Sequence, residues 1–320
     1  MNNLRKIGLS ALAGSLATFS VNAADVSVSG GASISFDDTN RGAATRGNGF
    51  YMGDSLGFNM SGETDGGLGV AVYYEIDGGA LDDYDMTVSG DWGSLKFNGS
   101  GSSSAFGAVD DVTPNAYEEA WDIIDTDGTA TSGSPTVIGG GGGANMFIYT
   151  SPSVGGATVT AAYQNSGGSN AAESYTDFAV AVSPEGVEGL TLGAAMSNNT
   201  IGTARDADKT TMYANYAVGA FTVGVQVSDL DDTTAASDQE SLAYGVTYAV
   251  NDDISIGYSY HELDFESASL SDQESTGISA SYTMGGMTLA GATNEVDNRA
   301  GSTNAASDVE GYEFTLSFAF

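Results

Sequence analysis

Apolar residues recur on every second position along most of this chain, in short stretches broken by glycine and polar residues. Val26, Val28, Ala32, Ile34 and Phe36 open the pattern, and Leu68, Val70, Val72, Tyr74 and Ile76 repeat it. Phe221, Val223, Val225 and Val227, then Leu242, Tyr244, Val246 and Tyr248, carry it through the second half. The final stretch does the same with Tyr312, Phe314, Leu316, Phe318 and Phe320, leaving Glu313, Thr315, Ser317 and Ala319 between them. Period 2 puts each apolar set on one face of a strand and the intervening residues on the other. Roughly sixteen such segments can be read, each about ten residues long, which is the length and period of strands that cross a bilayer at a tilt.

The connections also alternate. Short links at 65–67, 91–93, 218–220, 251–253 and 284–286 carry the Gly, Asn and Asp of hairpin turns. Longer polar loops are expected at 37–49, 165–174, 198–209, 228–240, 261–273 and 293–310. Short turns on one rim and long loops on the other are the asymmetry of outer-membrane barrels, periplasmic and extracellular respectively. Hydrocarbon cannot satisfy a free sheet edge, so the strands must close into an antiparallel β-barrel, with the last strand pairing to the one that begins near Asp25. At roughly sixteen strands the interior is too wide for side chains to fill. It is lined by Ser27, Ser55, Asn59, Lys96, Thr158, Thr160, Ser255, Ser259, Thr315 and Ser317, the residues of a wetted wall. A soluble two-sheet sandwich is the alternative, and it would call for a larger apolar share.

Arg5 and Lys6 precede an apolar and small-residue run at 7–19 and then Val21, Asn22 and Ala23, which reads as a signal peptide over 1–23 ahead of one barrel domain at 24–320. The chain has no cysteine, so pairing and packing must supply its stability. Its formal charge of -34 makes nucleic acid a poor partner, and an apolar fraction of 41% argues against disorder.

The segment 98–144 is far longer than a hairpin requires. It holds Asp110, Asp111, Glu118, Glu119, Asp122, Asp125 and Asp127 with no Lys or Arg, and Tyr117, Trp121, Ile123 and Ile124 as possible anchors. Folded inward it would narrow the bore and line it with carboxylates; standing outside it would be a solvated acidic tip. Asp125 and Asp127 have the spacing that begins a calcium loop but lack the later bidentate Glu, so at most loosely bound calcium is expected and no other cofactor. Ser259 and His261 share a strand face without an orienting acid or oxyanion hole, so His261 is expected at the barrel rim and no enzymatic activity is expected. The glycine run 139–143 has no phosphate-loop Lys and reads as loop.

Several stretches resemble the Gram-negative general porin family, especially its alphaproteobacterial members. Asp25-Val-Ser-Val-Ser-Gly30 resembles the opening strand, Ser61-Gly-Glu-Thr-Asp-Gly-Gly-Leu68 the first periplasmic turn, and Val88-Ser-Gly-Asp-Trp-Gly-Ser-Leu-Lys-Phe97 the strand entering the third loop. Asn145-Met-Phe-Ile-Tyr-Thr-Ser-Pro152 with Gly155 and Gly156 resembles the strand leaving it, and Phe320 the aromatic terminus read by barrel-assembly machinery. The resemblance implies an inward third loop, a homotrimer in outer-membrane lipid, and an assembly signal in Phe320, Phe318, Leu316 and Tyr312.

Where such porins set basic side chains opposite the acidic loop, this chain has Ser33, Ser55 and Ile148. Arg41, Arg46, Arg205, Lys209 and Arg299 are expected in long loops, leaving Lys96 as the inward basic residue. A constriction formed by Asp110, Asp111, Glu118, Glu119, Asp122, Asp125 and Asp127 with Lys96 would prefer cations. The expectation is passive diffusion of small hydrophilic solutes and ions. The rival is a non-conducting barrel serving as adhesin or anchor.

Overall fold

The computed structural model describes residues 25–39, 49–122, 137–140, 144–165, 172–201, 205–304 and 307–320. The expected signal peptide, Arg41, Arg46, Ile123, Ile124, Asp125, Asp127 and residues 141–143 lie outside them. The apolar segments become the strands β1 (Asp25–Thr39), β2 (Phe50–Glu63), β3 (Gly69–Asp77), β4 (Ala80–Gly90), β5 (Gly93–Ser100) and β6 (Met146–Thr150). Next come β7 (Ala157–Gln164), β8 (Ala172–Val182), β9 (Leu190–Ile201), β10 (Arg205–Val218) and β11 (Phe221–Asp232). The chain ends with β12 (Gln239–Ala249), β13 (Ile254–Phe265), β14 (Gln273–Met284), β15 (Met287–Asp297) and β16 (Val309–Ala319). Each strand pairs antiparallel with its sequence neighbours, and β16 closes on β1 to make a sixteen-stranded barrel.

Closure follows the expected pairing. Gly31 lies opposite Ala319, Phe36 opposite Phe314 and Thr39 opposite Gly311. Below that ladder the Phe320 N–H donates to Gly30 O at 2.8 Å and the Gly30 N–H to Phe320 O at 3.2 Å. No edge is left along the seam, which is the condition for a sheet in hydrocarbon.

The alternation sorts the side chains as the period requires. Val26, Met52, Met212, Ile278 and Phe314 are exposed on the outer face, while Ser35, Asp177, Thr211, Ser259 and Ser279 are buried on the inner one. Aromatic pairs flank the apolar belt, Trp92 against Tyr149 at the short-turn rim and Phe36 against Phe50 at the other, as interfacial girdles do. Gly93, at φ 106, is required by the turn it closes: a Cβ there would stand 2.2 Å from Thr150 O.

The strands outrun their apolar segments at the long-loop rim. Most of the loop expected at 198–209 is strand, because β9 continues to Ile201 and β10 begins at Arg205. Lys209 therefore belongs to a strand, pairing opposite Ser197, and His261 lies inside β13 opposite Ser275 rather than at the rim. Backbone groups keep pairing after the lipid-facing side chains stop being apolar, so hydropathy marks the membrane belt and not the strand ends. The rims are also less uniform than expected: β3 and β4 join through Gly78 and Gly79 alone, and the short-turn rim includes the longer links 151–156 and 183–189.

Candidate functional site: a strap across the lumen

The described part of the segment between β5 and β6 folds into the barrel and runs along its inner wall. It starts on an apolar patch built of Ala105, Phe106 and Val109 from the loop against Met146, Ile148, Ala162, Tyr175, Ala179 and Ala195 of the wall. Ile148 is thus covered by the loop base, and its departure from a basic residue serves docking. The inward alternation turns apolar on β6 to β9, and that break in a polar wall is the sequence signal for the loop's footprint.

From this patch the loop is tied to successive strands by wall side chains that reach its backbone. Asp177 of β8 accepts from the Phe106 N–H at 2.7 Å and the Ala105 N–H at 3.2 Å. Gln226 of β11 donates to Val109 O at 2.8 Å and accepts from the Val112 N–H at 3.1 Å. Asn215 of β10 donates to Val112 O at 2.6 Å. Ser279 of β14 accepts from the Ala116 N–H at 3.1 Å, and Asn294 of β15 donates to Glu119 O and Asp122 O at 2.9 and 3.0 Å. The Tyr117 hydroxyl donates to Glu313 Oε1 of β16 at 2.5 Å, and the Trp121 ring lies 4.7 Å from that of His261. Each bond to the strap's main chain satisfies a backbone group that burial would otherwise strand. None of these partners was legible in the sequence, because they lie 70 to nearly 200 residues from the loop.

The strap carries its acids with it. Burial, followed by the neighbouring charge of Asp110, pushes Asp111 up to about 6. Burial, then the charges of Glu313 and Asp122, take Glu118 to about 7, and burial with the hydrogen bond to Asp122 takes Glu119 to about 8. Asp110 is also raised by burial, against the opposing pull of the Gly140 N–H it accepts. The structure brings Asp110, Asp111, Glu118, Glu119 and Asp122 together and adds Glu313, an inward residue absent from the expected constriction.

Among the described residues two basic side chains enter the lumen rather than one. Lys96 is paired to Asp85 at 3.3 Å and donates to Ser102 Oγ at the loop base at 3.4 Å, and on the neighbouring strand Tyr73 donates to Glu75 at 3.0 Å. Lys209 lies beneath the strap, donating to Gly139 O with Asp110 close by. Arg299 is buried in a short 3-10 turn, Arg299–Gly301, at the long-loop rim. Each described lumen lysine therefore has a carboxylate near it, and Asp111, Glu118 and Glu119 of the strap have only other acids as charged neighbours among the described residues. No grouping of His and carboxylates suited to a metal ion occurs among the described residues.

A closed sixteen-stranded barrel, apolar outside, polar within and crossed by an inward third loop, is an outer-membrane channel. The chain belongs to the Gram-negative porin family, whose profile matches residues 8–301, and its place is the outer membrane. No curated protein sequence matches it. Among solved structures, a refined porin superposes with a TM-score of 0.68 at 18% identity, over 92% of this chain and all of the other (100%). The anion-selective porin from Comamonas acidovorans gives 0.67 at 16% over 93% and 100%, and OmpT, an outer-membrane protein of Vibrio cholerae, 0.69 at 13% over 94% and 99%.

Proposed function

We propose that this porin is a cation-preferring channel for passive diffusion of small hydrophilic solutes, working as a homotrimer, with the acidic strap as its constriction. The observation that carries the preference is the balance of charge around the lumen: Lys96 is offset by Asp85, Lys209 has Asp110 close by, and Asp111, Glu118, Glu119, Asp122 and Glu313 are left over, the first three becoming charged as pH rises through about 6, 7 and 8. A water-filled bore with low-dielectric walls focuses that excess and concentrates cations. The barrel alone does not decide the sign, since a porin of the same fold is described as anion-selective. Supporting the trimer is the family resemblance, and supporting a non-enzymatic role is membership of a channel family. The test is the reversal potential of the refolded protein in a planar bilayer under a salt gradient; anion preference would sink the reading. Deleting 110–127 should enlarge the conductance and reduce the selectivity together.

A further inference from the structure

The strap between Pro114 and Ala120 lies against four inward glycines on four adjacent strands: Gly224 of β11, Gly245 of β12, Gly257 of β13 and Gly277 of β14. A Cβ on Gly245 would stand 2.1 Å from Pro114 O, and one on Gly257 2.8 Å from Ala116 N. On Gly224 it would stand 2.4 Å from Pro114 Cδ and 1.9 Å from Asn215 Oδ1, and on Gly277 3.0 Å from Ala120 Cα and 2.5 Å from Asn294 Oδ1, the two amides that also tether the strap. Three of the four strap contacts are with loop backbone, which cannot turn aside as the end of a side chain does. Gly224, Gly245 and Gly277 lie in one row across the wall through Ser259, and Gly257 is the next inward position along β13 from that serine, so the four glycines form one track.

Glycine inside a strand weakens it and marks close backbone approach. Inward glycines away from the strap meet open space or the ends of wall side chains instead: a Cβ on Gly31 would meet Phe318 O only at 3.6 Å, while those on Gly53 and Gly69 would meet Ser33 Oγ at 2.8 Å and Ser89 Oγ at 2.7 Å. The track also sits at the height of the lipid-facing belt, because Val223, Val225, Tyr244, Val246, Ile256 and Tyr258 flank it on the outer face. The strap consequently crosses inside the membrane span, and its distance from the wall subtracts directly from the bore.

We propose that Gly224, Gly245, Gly257 and Gly277 are the size-determining residues of the channel. They allow the strap to lie with its main chain against the wall, and any side chain there lifts it toward the axis. The bonds from Gln226 and Asn215 to Val112 before the track and from Asn294 to Asp122 O after it hold the strap on both sides, so the lifted segment bows into the bore instead of leaving it. The proposal rests on the channel activity and is independent of its ion preference.

The test compares wild type with Gly245→Ala, Gly257→Ala, Gly277→Ala and the control Gly31→Ala. Assembly is checked by heat-modifiable electrophoretic mobility, and single-channel conductance and liposome swelling in sugars of increasing size are then read. The expected result is a loss of conductance and a shift of the cutoff to smaller sugars, greatest for Gly245→Ala, then Gly257→Ala, then Gly277→Ala, with Gly31→Ala like wild type. If Gly245→Ala does not assemble, the two less crowded positions carry the test. Assembled track variants with wild-type or raised conductance would overturn the proposal, as would an equal loss in Gly31→Ala. A wild-type barrel that does not conduct would instead overturn the channel activity on which the proposal rests.

Discussion

Trp121 packs its indole against the imidazole of His261, with ring centroids 4.7 Å apart and planes inclined at 58°. Both side chains are buried, so the sole histidine of the chain sits under the far end of the strap. Aromatic pairs of this kind contribute about 0.5–1.5 kcal/mol beyond their buried area. Trp121→Ala should therefore leave the barrel assembled but loosen that end of the loop, raising single-channel current noise and proteolysis within the loop. His261→Phe should keep both near wild type, since it preserves the ring contact. Equal noise in the two variants would show that the ring contact does not hold the strap.

At the other end Asp177 is fully buried and accepts two backbone N–H groups and the Tyr175 hydroxyl. Asp177→Ala strands donors at a cost of about 1–3 kcal/mol each. Hydrogen exchange at residues 105 and 106 should accelerate markedly in Asp177→Ala, and less in Asp177→Asn, which keeps one acceptor oxygen.

Charge on the strap should build up across the neutral range. Asp111, Glu118 and Glu119 lose their protons near 6, 7 and 8, so cation preference should increase from pH 5 to pH 9. The stability sign is opposite: these carboxyls hold protons more tightly when docked than when exposed, so docking is favoured at low pH and weakens as pH rises through 6 to 8. Reversal potentials measured across this range at low salt check the first statement, and loop proteolysis the second. At 1 M salt, where the Debye length is about 3 Å, the pH effect on selectivity should largely vanish.

The Lys96 and Asp85 pair offers a charge that can be changed without altering the strap's own acids, although Lys96 also donates to Ser102 Oγ at the loop base at 3.4 Å. Lys96→Glu should strengthen cation preference, and Asp85→Asn should weaken it by leaving the lysine uncompensated. Both shifts are read as reversal potentials, and a change in the same direction for the two variants would contradict the charge account of selectivity.

Phe320 joins the seam through its backbone while its side chain is 82% exposed. Removing the residue should slow assembly more than it alters conduction. Phe320→Ala retains both bonds to Gly30, so a comparable assembly defect in that variant would locate the requirement in the aromatic ring rather than in closure of the sheet.

The alternation of apolar residues was sufficient to give the barrel, its strand number and the β1–β16 seam, because lipid on one side and water on the other leave a strand only one usable orientation. The turn chemistry likewise placed the tight hairpins. Strand ends were not legible at the long-loop rim, where the ladder continues through residues such as Lys209 and His261 whose polarity suggested loops. The inward or outward position of the third loop was undecided by its own composition. It was decided by Asp177, Gln226, Asn215, Ser279, Asn294 and Glu313, each an ordinary polar residue on an inward strand position until closure brings it to the loop. Periodicity is a property of neighbours in sequence, so it fixes which face each residue takes. Which inward residues meet across the lumen depends on the shape of the closed wall, and only the tertiary structure supplies that.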